Sequence, residues 1–254
     1  MKVRKLLSAD SLKLIAIAAM LTDHIAWLFV PTQTAAGQLL HMVGRITVVV
    51  MSFSIAEGYI HTKNLGRYAA RLFVFAVLSE IPYNFYKTGT LMYGGYNVIF
   101  TLFLALAAVW VYDTPVIKSK LLKLLAIALL LFLSDKCDWD FVPIALATGF
   151  FAIRKHGKRA GASLAMVALV TCVYLVYKFV DGGYAESILR GIDALKILKA
   201  FIKPRIMTTG LLLGGGLTLL YNGKPGKYRK QLKWLFYIFY PLHLVAVRAI
   251  YELI

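Results

Sequence analysis

The sequence predicts an all-α, polytopic membrane helical bundle, and three observations predict it. The 254 residues are 60% hydrophobic and 16% charged, whereas soluble domains are about a quarter charged. Mean hydropathy is +0.71. Apolar runs long enough for a hydrocarbon core of roughly 30 Å recur along the chain. No polar stretch is long enough for a separate soluble domain, so residues 1–254 read as a single transmembrane domain. A net charge of +17 could signal nucleic acid in a soluble protein. Here the basic residues crowd into short loops, which points to membrane lipids and topology and away from nucleic acid. Cys137 and Cys172 are too few for a disulfide framework and lack metal-ligand spacing, so no metal is expected.

Nine spans can be read, at roughly 12–30, 39–60, 67–88, 96–113, 119–134, 139–153, 160–178, 205–221 and 231–251. The first is SLKLIAIAAMLTDHIAWLFV, Ser11 to Val30. Positive charges precede it as in a signal peptide. Its length, its Asp-His pair and the lack of a small-residue cleavage site mark it as a retained helix. Basic residues then recur at every second connection: Lys2, Arg4 and Lys5; Lys63, Arg67 and Arg71; Lys118, Lys120 and Lys123; Arg154, Lys155, Lys158 and Arg159; Lys224, Lys227, Arg229, Lys230 and Lys233. These are 18 of the 29 Lys and Arg residues. The pattern predicts a cytoplasmic N-terminus. Residues 178–205 break it, lying outside by count yet holding six basic residues. There Glu186, Arg190, Asp193, Lys196, Lys199 and Lys203 alternate with Ile188, Leu189, Ile192, Leu195, Leu198, Phe201 and Ile202. That periodicity predicts one interfacial amphipathic helix. GLLLGGGL at 210–217 predicts close helix approach.

Polar residues inside the spans collect at one depth. With 1.5 Å of rise per residue, His24 lies ~18 Å up the first span, Glu80 ~20 Å up the third and His243 ~18 Å up the last. Arg45 descends ~9 Å from the outer end of the second span to a similar level, and Asn97 enters slightly higher. Asp23, His24, Arg45, Glu80 and His243 therefore share a slab. Unpaired charges there are costly, so these groups must meet one another or a water-filled cavity. An ion-pair network with a purely structural role satisfies the same pattern. Two histidines among acidic and basic neighbours also supply what proton transfer needs.

A second group sits nearer the cytoplasm. Glu57 and His61 are four apart on one helical face, with Lys13, Arg67 and Arg71 at similar depth. Lys13 and His24 lie on one stripe of the first helix, ~16 Å apart. The alternative for Lys13 is a snorkelling anchor. A cytoplasmic cation for phosphates, followed by a dry stripe leading to a buried base, suits a long phosphorylated thioester carrier.

TDHIA at 22–26, GRI at 44–46, EGYIHT at 57–62, SEIPYN at 79–84, NVIFTL at 97–102 and YPLHL at 240–244 together resemble the TraX family of membrane proteins. That resemblance implies acetyl transfer from acetyl-CoA to an amine, as in conjugative pilin acetylation. Lys13 and His24, with ten residues between them, also resemble the Arg/Lys and His pattern in the first helix of acyltransferase family 3 membrane enzymes. This second resemblance implies Lys13 near CoA and His24 as base. After GRI, TraX members often read aromatic-Pro-aromatic, whereas TVVVMSF stands here.

The combined expectation is a multi-pass acetyltransferase of the bacterial cell (inner) membrane. Its acceptor would be a peptide amine or a saccharide. His24 would be the base, with Asp23 or Glu80 orienting or steadying it. Arg45, Asn97 or His243 would stabilise the oxyanion. Lys13, Arg71, Glu57 and His61 would bind acetyl-CoA, with Asn97 and Tyr240 meeting the acceptor. A proton-coupled transporter using Asp23, Glu80 and the intramembrane histidines is the alternative.

Overall fold

A computed structural model describes residues 6–92, 94–157, 160–190 and 192–254. Lys2, Arg4, Lys5, Lys158 and Arg159 of the charge pattern lie outside these. Among the described residues the regular elements are all helices, joined by short connections with isolated bridges such as Leu7 with Tyr221.

Helix α1 (Ala9–Phe29) begins at Ser8, whose hydroxyl accepts from the Ser11 amide and so satisfies one free N–H of the first turn. α2 (Ala35–Gly44) and α3 (Ile46–His61) form one helical run with a joint at Arg45, where the backbone stays in the right-handed region. TVVVMSF thus continues as helix, with β-branched residues buried at Val48, Val49 and Val50. The expected third span is broken into α4 (Leu65–Leu78) and α5 (Glu80–Thr88). Pro82 has no N–H for the Leu78 carbonyl, which explains the break at Ser79. α6 (Val98–Asp113), α7 (Lys120–Leu133), α8 (Val142–Lys155) and α9 (Ala160–Asp181) follow.

Two expectations need correction here. Among the described residues, four helical runs are long and apolar enough to cross a membrane: Ala9–Phe29, Ala35–His61, Gly161–Asp181 and Trp234–Leu253. This makes the protein a membrane helical protein, but helix length does not carry a count of nine crossings. α7 and α8 have 14 residues each, or ~21 Å, short of a typical hydrocarbon core. The second correction concerns residues 178–205. They form two short helices, α10 (Tyr184–Leu189) and α11 (Ala194–Ile202), and no single long one. Asp193 ends the continuity because its carboxylate accepts from the Leu195 and Lys196 amides and starts a new helix. The amphipathic pattern survives in α11, which buries Ile197 and Phe201 and exposes Leu195 and Leu198.

A 3-10 segment, Lys203–Thr209, leads into α12 (Gly210–Leu219). Its glycines do permit close approach. A Cβ at Gly210 would overlap the Met42 carbonyl of α2, and one at Gly214 would lie 2.7 Å from the Val49 side chain of α3. α13 (Arg229–Leu253) runs through Pro241. It lies parallel to α1: Lys13 is over the Phe236 ring, His24 meets His243, and Phe29 meets Tyr251. The Leu6 and Leu7 amides donate to the Leu220 carbonyl, and Asp10 accepts from the Tyr228 amide. The start of α1 and the basic 222–230 loop therefore share one side of the molecule, as the charge pattern requires.

Candidate active site

A cavity of about 790 Å³ lies between α1, α3, α5 and α13. Along α1 it is lined by Lys13, Met20, Asp23, His24 and Trp27. Their spacing keeps them on one side of the helix. Thr32, beyond the helix end, lines it too. From Lys13 to Trp27 the cavity follows α1 for ~21 Å. Lys13 and Arg71 stand at one end. His24 and Tyr240 lie further in, and Lys87, Lys178 and Arg205 line the part beyond them.

The His24 ring is fixed by two neighbours. Its Nδ1 is 2.9 Å from the Met20 carbonyl and 3.1 Å from Nε2 of His243. His243 Nδ1 is 2.8 Å from the Phe239 carbonyl. A carbonyl only accepts, so each Nδ1 carries a hydrogen. In the neutral pair, His243 Nε2 is then an acceptor, and His24 keeps its lone pair on Nε2. The Tyr86 hydroxyl donates to the His24 carbonyl at 2.8 Å, and its ring meets the imidazole edge-on at 5.0 Å.

Asp23 is tied down more fully. Its Oδ1 accepts from His41 Nδ1 at 2.9 Å, its Oδ2 accepts from Trp27 Nε1 at 3.1 Å, and Arg45 Nη1 lies 3.7 Å from Oδ2. His41 is wholly buried, with no hydrogen-bond partner for its Nε2 among the described residues. Gly44 sits against the Asp23 carboxyl, where any Cβ would overlap it. The Arg45 guanidinium lies 4.8 Å from the Trp139 ring and 5.8 Å from that of Trp27. Trp139 reaches it from a backbone with φ of 72°, a left-handed conformation uncommon for a bulky residue.

Of the residues singled out from the sequence, Lys13, Asp23, His24, Arg45, Arg71 and Tyr240 line this cavity. His243 supports His24 from the adjacent helix. Glu80 is elsewhere: its Oε2 accepts from the Asn97 side chain at 2.6 Å and the Asn97 amide at 3.3 Å, and Asn97 also donates to the Ala76 carbonyl. That arrangement pins α6 to the α4–α5 break. Glu57 pairs with Arg154 of α8 and with His61 at 3.5 Å. None of Glu80, Asn97, Glu57 and His61 is among the lining residues.

Sequence reasoning passed over His41, Tyr86, Lys87, Trp139 and Arg205. His41 stands four residues before Arg45, hence on the same helical face, and that spacing was a usable signal. Lys87 and Arg205 stand at the ends of the expected third and eighth spans, where a basic residue is ordinary.

The Dichelobacter nodosus protein described as "Probable fimbrial assembly protein FimC, serogroup H1" is 29% identical over 255 residues, covering 94% of each chain. No solved structure matches the chain. The family model described as "TraX protein" matches residues 8–251, and the chain belongs to the TraX family.

Proposed function

We propose that this protein is an acetyltransferase that takes acetyl-CoA at the Lys13 end of the cavity and an amine or hydroxyl acceptor at the other. The observation that carries this reading is the single cavity running from Lys13 and Arg71, past His24, to Thr32 and Arg205. The two cations would pair with CoA phosphates, and ~16 Å of α1 between Lys13 and His24 matches an extended carrier arm. In this reading the Lys13 end is cytoplasmic, the membrane is a bacterial inner membrane, and the shorter helices complete a multi-pass topology. The fimbrial assembly description of the relative supports a pilus subunit as acceptor.

The acceptor nitrogen or oxygen attacks the thioester carbonyl while His24 Nε2 takes its proton. The new C–N or C–O bond forms, the C–S bond breaks, and the proton passes to the departing CoA sulfur. His243 Nε2 holds the hydrogen on His24 Nδ1 and shares the charge of the imidazolium. Neutral His243 has no free N–H for an oxyanion, and Asn97 is committed to Glu80. Arg45 is therefore the oxyanion-stabilising group of this reading, with Asp23 fixing its position.

The same cavity, with its acid and base groups, also favours a proton-coupled transporter. Acetyl-CoA titrated into purified protein separates the two. Saturable binding together with CoA release in the presence of an amine supports transfer. No binding, combined with proton-coupled solute uptake in vesicles, would overturn it.

A further inference from the structure

The end of the cavity remote from Lys13 has a chemistry of its own. Its lining cations include Arg45, Lys87, Lys178 and Arg205, against the carboxylates Asp23 and Asp138. Arg45 is engaged with Asp23, and Lys178 is 2.9 Å from Asp140 and 3.8 Å from Asp181. No carboxylate lies within ion-pair distance of Lys87 or Arg205 among the described residues. Lys87 Nζ rests 5.4 Å from the Tyr83 ring, while the Arg205 guanidinium lies 4.2 Å from Phe201 and 5.3 Å from Tyr184.

Arg205 is a placed residue. Gln38 of α2 donates to the Thr32 and Pro204 carbonyls and accepts from the Met207 amide. This clamps the 3-10 segment carrying Arg205 against α2. The 178–205 stretch that violates the positive-inside pattern thus sends two of its cations, Lys178 and Arg205, into the cavity. Two of the aromatic rings nearby, Trp139 and Tyr184, already have close neighbours. Trp139 has Arg45 at 4.8 Å and Tyr174 at 6.1 Å, and Tyr184 has Arg205 at 5.3 Å and Phe179 at 5.8 Å. What this end offers a ligand is positive charge.

We infer that it receives a polypeptide acceptor whose acetylated group stands next to a carboxylate, with Lys87 and Arg205 holding that carboxylate. This rests on the acetyl-transfer reading for the reaction but not for the binding. A cation-lined chamber disfavours an acceptor whose only charge is its own ammonium, and an adjacent carboxylate offsets that repulsion.

The test uses the full chain in lipid nanodiscs with two peptides, Ala-Glu amide and Ala-Gln amide, which differ by one carboxylate. Acetyl transfer to each is measured at saturating acetyl-CoA. Binding of each without acetyl-CoA is followed by tryptophan fluorescence, since Trp27 and Trp139 line the cavity. The acidic peptide should show a KM and a Kd lower by roughly tenfold. Arg205→Gln combined with Lys87→Gln should erase that preference while the thermal-denaturation midpoint, the check on folding, is kept. Arg205→Lys should retain much of it. Equal Kd values for the two peptides overturn the proposal, and so does a preference confined to glucosamine 6-phosphate over glucosamine. Failure of the acetyl-transfer reading shows separately, as absent acetyl-CoA binding, and leaves the peptide titration readable.

Discussion

His24 Nδ1 and His243 Nε2 meet at 3.1 Å across two parallel helices that begin on the same side of the protein. The contact gives the histidines different tasks. His24 alone presents a free ring nitrogen on a residue that lines the cavity, and His243 braces it.

His24→Ala should lower acetyl transfer by ~10²-fold or more, as loss of a general base does, and leave acetyl-CoA affinity nearly unchanged. His243→Ala should cost less, and His243→Gln less again, because its amide oxygen can still accept from His24 Nδ1. The check is turnover by the purified variants. Similar losses in His24→Ala and His243→Gln would refute the division of labour.

Lys13→Ala should raise the KM for acetyl-CoA much more than it lowers kcat, because a phosphate contact exists before and during the reaction alike. Lys13→Arg should be milder, since either cation pairs with phosphate. If Lys13 only anchors α1, the alanine variant will insert poorly while the folded fraction keeps its KM.

The Asp23–His41 pair predicts a coupling. His41→Ala removes a buried donor to a carboxylate and should destabilise the protein by about 1.5–3 kcal/mol. In an Asp23→Asn background the same change should cost less. Denaturation midpoints of the four proteins of the cycle measure this. Strict additivity would mean that the 2.9 Å contact contributes nothing.

Sidedness can be read by thiol labelling, although native Cys137 is unsuitable. It is buried, and burial pushes its thiol up to about 11, so the reactive thiolate is scarce near neutral pH. Alkylation of Cys137 should therefore accelerate only as pH climbs toward that value. In a background of Cys137→Ser and Cys172→Ser, cysteine at exposed His156 should label from the cytoplasm and cysteine at exposed Lys136 from the opposite side. The reverse result would invert the topology and remove the proposed acetyl-CoA entrance.

Much of the fold was readable because apolar periodicity is a local property. Helix occurs in every expected segment, and the common level of His24 and His243 followed from counting residues along α1 and α13. Continuity was less readable. Pro82 cuts the expected third span, and Asp193 divides the amphipathic stretch by offering its carboxylate to new helix amides. Depth also proved weaker than contact. Glu80 was placed with the histidines because its height suited them, whereas the structure gives its carboxylate to Asn97, which a one-dimensional count cannot foresee. Arg205 was not legible as a cavity residue because the clamp that places it, Gln38, is 166 residues from Pro204.

The two histidines are separated by 219 positions. At about 5–20 residues per second of synthesis, His24 enters the nascent protein roughly 10–40 seconds before its brace exists. Until α13 inserts beside α1, the imidazole lacks the partner that shares its charge, and the cavity lacks a wall that includes Phe236 and Tyr240. A ribosome that stalls or a message that ends before α13 yields a membrane-embedded chain with its base in place and no chamber around it. On the acetyl-transfer reading, such incomplete products would not transfer, and competence would wait for α13.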